Sequence, residues 1–66
     1  MRGTIRTLKL GRVFGFIRGD DRKDYFFHAD DLEGLEFTEQ LQERRVEFVE
    51  FEEAKGPRAK SVRAVD

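Results

Sequence analysis

Phe14 and Phe16 stand two residues apart in the run RVFGFIR, and Phe26 and His28 stand two apart in DYFFH. In an extended strand, side chains two apart point to the same side. Arg12, Phe14, Phe16 and Arg18 then share one face, and Asp24, Phe26 and His28 share one face of a second strand. A buried face seldom carries two arginines, so this set is expected at the surface, with Val13, Gly15 and Ile17 inside. Pairing the two strands sets Phe14, Phe16, Phe26 and His28 side by side. Such a patch supports stacking: every nucleobase has a π-face that rests on an aromatic ring, at about 1–3 kcal/mol per base, while flanking arginines meet phosphates. Unpaired strands are favoured, because duplex bases already stack on one another. The reading is single-stranded RNA or DNA, with no choice between them, since the rings accept both.

Other chemistries are poorly served. His28 is the only histidine and cysteine is absent, so no tetrahedral metal set is available. Asp20, Asp21, Asp24, Asp30 and Asp31 suit turns and caps better than a cation site or acid–base work. No metal, cofactor or catalysis is expected.

The chain has 66 residues, enough for one domain, which is expected to span 1–66. At this size only about 60% of the unfolded surface is buried, leaving little room for an enclosed pocket. The missing cysteines remove disulfide staples and suit a reducing cytoplasm. No apolar run approaches the roughly 18 residues of a membrane span, and MRGTIRTLKL lacks the features of a signal peptide. A soluble, unprocessed cytoplasmic monomer with no membrane partner is expected. Charged residues make up 41% of the chain, yet 13 Lys and Arg offset 14 Asp and Glu to a net charge of -1. Attraction to phosphate must therefore come from distribution rather than total charge. Arg2, Arg6, Lys9, Arg12 and Arg18 crowd a first segment without acids, while Glu43, Glu47, Glu50, Glu52 and Glu53 gather later.

The elements that must hold these residues follow from alternation and turn signals. Strands are expected over Arg2 to Leu10, Arg12 to Arg18, Asp24 to His28, Arg45 to Glu52 and Arg58 to Val65. Tight turns at Leu10–Gly11 and Gly19–Lys23 make two hairpins. The polar stretch from Ala29 to Arg44 is the long link, with Asp30 and Asp31 able to cap one helical turn before Leu32. Five short strands with a long third connection predict an all-β, antiparallel Greek-key barrel of the oligonucleotide-binding type. In the fourth strand Val46 and Phe48 share one parity and Val49 and Phe51 the other. Either a bulge near Phe48 reconciles them, or one pair is exposed.

Three motifs bring a family into view. RVFGFI resembles KGFGFI, the first ribonucleoprotein motif of the cold-shock domain; DYFFH resembles its second, DVFVH; and KGPRAKSV at Lys55 to Val62 resembles KGPxAxxV. GTIRTL at Gly3 to Leu8 is similar, more loosely, to GxVKWF. The resemblance covers nearly the whole chain and implies the same barrel, binding of single-stranded RNA or DNA, melting of RNA secondary structure, and effects on transcription or translation. It implies stacking roles for Phe14, Phe16, Phe26 and His28, basic roles for Arg6, Arg12 and Lys55, and an aromatic role for Phe37 on the long link. Arg58, opening the last expected strand, completes the candidates. Thr7 stands at the family's tryptophan position, Ala29 at a frequent aromatic, and Asp30 and Asp31 at small residues, so weakened binding is expected. Tyr25 and Phe27 exceed the usual valines and imply a repacked core. The rival reading is a protein-interaction module that docks a partner on the same aromatic patch.

Overall fold

The computed structural model describes residues 1–65. The strands are β1 (Arg2–Lys9), β2 (Phe14–Gly19), β3 (Asp24–His28), β4 (Arg45–Glu53) and β5 (Gly56–Ala64). They close into a barrel in the order β1-β2-β3-β5-β4, with β4 returning to β1. All seams are antiparallel except β3 with β5, which is parallel through Phe26 and Arg58 and is extended by a bridge between Leu32 and Val62. The expected all-β barrel of the oligonucleotide-binding type is therefore present. Among the described residues no helix is long and apolar enough to cross a membrane.

Alternation fills the interior. Ile5, Ile17, Tyr25, Phe27, Val46, Phe48, Ala59 and Val62 point inward and are buried, and Leu41 plugs one end from a single 3-10 turn (Glu39–Leu41). The bulk of Phe27 is accommodated because Gly15 faces it across the β2–β3 seam. A Cβ on Gly15 would press into the Thr7 carbonyl oxygen and stand 3.0 Å from the Phe27 ring. The glycine is thus required first by the close approach of the β1 backbone and then by the Phe27 ring.

Two bulges set the faces. In β1, Ile5 pairs with Ile17 but Thr7 with Phe16, so Arg6 is the extra residue. A one-residue bulge inverts the parity beyond it, turning Leu8 toward the core and Thr7 and Lys9 outward. The break expected near Phe48 lies between Glu47 and Val49, but the extra residue belongs to β5, where Ser61 takes a positive φ of 52°. Phe48 stays inward, and of the other pair Val49 is exposed and Phe51 half-buried.

The β1–β2 connection differs from expectation. β1 ends at Lys9, a 3-10 turn occupies Leu10–Arg12, and Val13 takes a left-handed φ of 54° before β2 begins at Phe14. Val13 consequently points to solvent, 42% exposed, instead of into the barrel, and Arg12 lies outside the strand. Alternation cannot be extended through a residue whose backbone has left the β region. The second turn is as expected: Arg22 N–H donates to the Gly19 carbonyl at 2.9 Å, and Asp21 Oδ1 accepts from the Lys23 amide at 3.0 Å. β4 runs one residue past Glu52, and β5 opens two residues before Arg58 and closes at Ala64.

Candidate functional site

The β2–β3 register decides the site. Phe14 pairs with His28, Phe16 with Phe26, and Arg18 with Asp24, so the outward side chains form three adjacent rungs. The three phenylalanines are half-buried. Phe14 and Phe26 lie 5.5 Å apart between ring centres, inclined at 33°, while Phe16 stands nearly edge-on to Phe14 at 6.2 Å and to Phe26 at 5.9 Å. Edge-to-face packing of this kind holds each ring without covering its whole face. The turn joining β4 to β5 closes one side, so Phe16, Phe26, His28, Lys55 and Arg58 line an open groove of about 790 Å³.

His28 is fixed by the turn that follows it. Its Nδ1 accepts from the Asp30 amide at 3.1 Å, and its own amide donates to Asp31 Oδ2 at 2.9 Å, a reciprocal cap on the 3-10 turn Ala29–Asp31. The capping expected of Asp30 and Asp31 is thus carried by His28 and Asp31 together.

The basic residues divide into paired and unpaired. Arg18 Nε donates to Asp24 Oδ1 at 2.6 Å, and that bond raises the guanidinium above its ordinary pKa. Arg58 lies over Phe26, 5.4 Å from the ring centre, and reaches Asp31 at 3.2 Å and Glu53 at 3.4 Å. Arg6, the bulged residue, is drawn to Glu43 at 3.3 Å instead of standing clear beside the rings. Arg12 and Lys55 make no ion pair among the described residues and are exposed, Arg12 on the turn before β2 and Lys55 at the tip of the β4–β5 turn.

Phe37 does not join the outer rings. Its ring packs 6.0 Å from that of the fully buried Phe27, where it covers the end of the core. Thr7 faces outward opposite Phe16, so the position is on the patch but carries no ring. Lys9, absent from the sequence-based candidates, pairs with Phe14 and is an exposed cation on that same face. A signal for it exists in the sequence. Ile5 and Leu8 lie three apart, and both can face the core only if a bulge intervenes, which turns Lys9 outward.

This arrangement offers three clustered ring faces, an imidazole edge and free cations at the rim. Comparison with known proteins gives a concordant result. The family model described as the 'Cold-shock' DNA-binding domain matches residues 1–65. The chain is 38% identical over 65 residues to a cold shock-like protein of Aquifex aeolicus (strain VF5), covering 97% of this chain and 93% of that one. It is 33% identical over 64 residues to "Probable cold shock protein A" of Mycolicibacterium smegmatis, and equally to the protein of that name from Mycobacterium tuberculosis, covering 96% of each chain.

Proposed function

We propose that this chain, which belongs to the cold-shock domain family, binds single-stranded RNA or DNA on the outer face of β2 and β3 as a single-domain monomer of the cytoplasm. Members of the family are nucleic-acid-binding domains. The observation that carries the reading is the mutual contact of Phe14, Phe16 and Phe26 on an outward, half-exposed surface. A soluble protein gains nothing from holding three such rings at its surface unless a ligand covers them. Bases stack on Phe14, Phe16 and Phe26 and against His28, and Lys9, Arg12 and Lys55 attract the phosphates. Base preference is weak and no reaction is catalysed. By holding bases on the protein, the domain opposes their pairing, which suits an RNA chaperone or a regulator of transcription or translation.

Titration with labelled oligothymidine and oligouridine at two salt concentrations tests the proposal. Saturable binding that weakens as salt rises is expected; no binding at low salt by folded protein overturns it. A second reading draws support from the pairing of Arg18 and Arg58 with carboxylates, which lowers the positive charge over the rings. In that reading the patch docks a protein partner, and binding is nearly indifferent to salt.

A further inference from the structure

The outward row that crosses the aromatic patch continues past Arg58. Arg58 pairs with Phe51 of β4, so one row runs Thr7, Phe16, Phe26, Arg58, Phe51 around the barrel. Phe51 is half-buried, and the core beneath β4 is supplied by Val46 and Phe48 of the opposite parity. The Lys60 ammonium lies 4.6 Å from the centre of the Phe51 ring. Lys60 itself pairs with Val49, whose side chain is 57% exposed. The pattern repeats what Phe26 and Arg58 make: a ring on the outer surface with a cation over it, two strand spacings or about 10 Å further on.

Three of the β4 acids have partners within the protein. Glu53 is engaged by Arg58, Glu47 faces Arg2 at 4.0 Å, and Glu50 lies 3.3 Å from the Tyr25 hydroxyl oxygen. The cation beside Phe51 that pairs with no carboxylate among the described residues is Lys60, which is complementary to a phosphate.

We propose that Phe51 is an additional base-stacking platform, reached by a single strand that has crossed Phe26 and Arg58. Lys60 leaves the ring face as the base settles and meets the adjoining phosphate. The exchange is favourable because an exposed cation–π contact is weaker than a base–aromatic stack. The inference rests on the binding proposed for β2 and β3 and lengthens the track by one nucleotide.

The test is affinity against oligothymidine length, from about four to eight nucleotides, for the unaltered protein, Phe51→Ala, Phe51→Leu and Phe26→Ala. Phe51→Leu preserves apolar bulk and so keeps the fold should the alanine variant lose it. Both Phe51 variants are expected to bind long oligomers about fivefold more weakly and the shortest ones unchanged, whereas Phe26→Ala weakens every length. Equal affinities at all lengths, or an equal loss at all lengths, overturn the Phe51 platform. Absence of saturable binding by the unaltered protein overturns the parent proposal instead.

Discussion

Arg58 lies over the Phe26 ring at 5.4 Å while Asp31 and Glu53 hold its guanidinium from the sides. The cation nearest the central ring of the patch is therefore already compensated inside the protein. Asp31→Asn removes one of those charges and keeps an oxygen to accept the His28 amide. Affinity for oligothymidine at low salt should rise severalfold. The slope of log affinity against log salt should steepen by up to about 0.7, the increment for one more phosphate of a single strand. An unchanged slope would show that Arg58 meets no phosphate.

Phe26 and Phe27 are neighbours in sequence with opposite orientations, one half-exposed and one fully buried. Phe27→Ala opens a cavity against Gly15 and should cost about 3–5 kcal/mol, most of the stability available to a domain this small. Phe14→Ala and Phe26→Ala should leave the cooperative melt within a few degrees and lower affinity roughly 5- to 100-fold. Circular dichroism melts beside oligonucleotide titrations separate the two outcomes. If Phe26→Ala unfolded the chain, its ring would be core.

Thr7 faces outward opposite Phe16. Thr7→Trp adds a ring to the row without touching the core, so tighter binding by about fivefold or more is expected, with little change in melting temperature. No gain in affinity would place the strand elsewhere on the barrel.

Val13 combines a branched side chain with a φ of 54°. The left-handed region costs an L-residue about 1–2 kcal/mol, of which a glycine returns about 0.4–1 through greater freedom when unfolded. Val13→Gly should therefore stabilise the chain by about 0.5–1 kcal/mol, seen as a rise of a few degrees in melting temperature. A lower melting temperature would show that the exposed valine makes contacts worth more than its strain.

Asp21 accepts a hydrogen bond from the Tyr25 hydroxyl at 2.5 Å and another from the Lys23 amide, and these hold its carboxyl below the usual carboxylate range. The hydroxyl is pushed the other way, first by that hydrogen bond and then by burial. A depressed carboxyl pKa stabilises the fold above the unfolded value of about 3.9 and stops doing so as pH falls through the folded value. Asp21→Asn should lower the melting temperature at pH 7 and converge with the unaltered protein near pH 2. A constant gap across that range would assign the loss to packing alone.

How much of this was legible in the sequence can be followed residue by residue. The alternation in FGFI and DYFFH is local, because strand geometry alone sends Phe14, Phe16, Phe26 and His28 one way and Gly15, Ile17, Tyr25 and Phe27 the other. The motifs and the long third connection likewise carried the barrel and the family. What alternation cannot carry is a break in itself. The left-handed turn at Val13 took Arg12 out of its strand, and the bulge at Arg6 delivered Lys9 to the patch. Phe37 sits in a segment with no period, and only the open end of the core beside Phe27 decided where its ring would go. Charge pairing was hidden for a different reason. Arg58 lies 27 residues from Asp31, and the parallel β3–β5 seam alone brings them within 3.2 Å. The sequence by itself determined which side chains share a face of a strand, since that depends on neighbours along the chain. Which cations stay free over that face was settled by barrel closure, because ion pairing depends on distance in space.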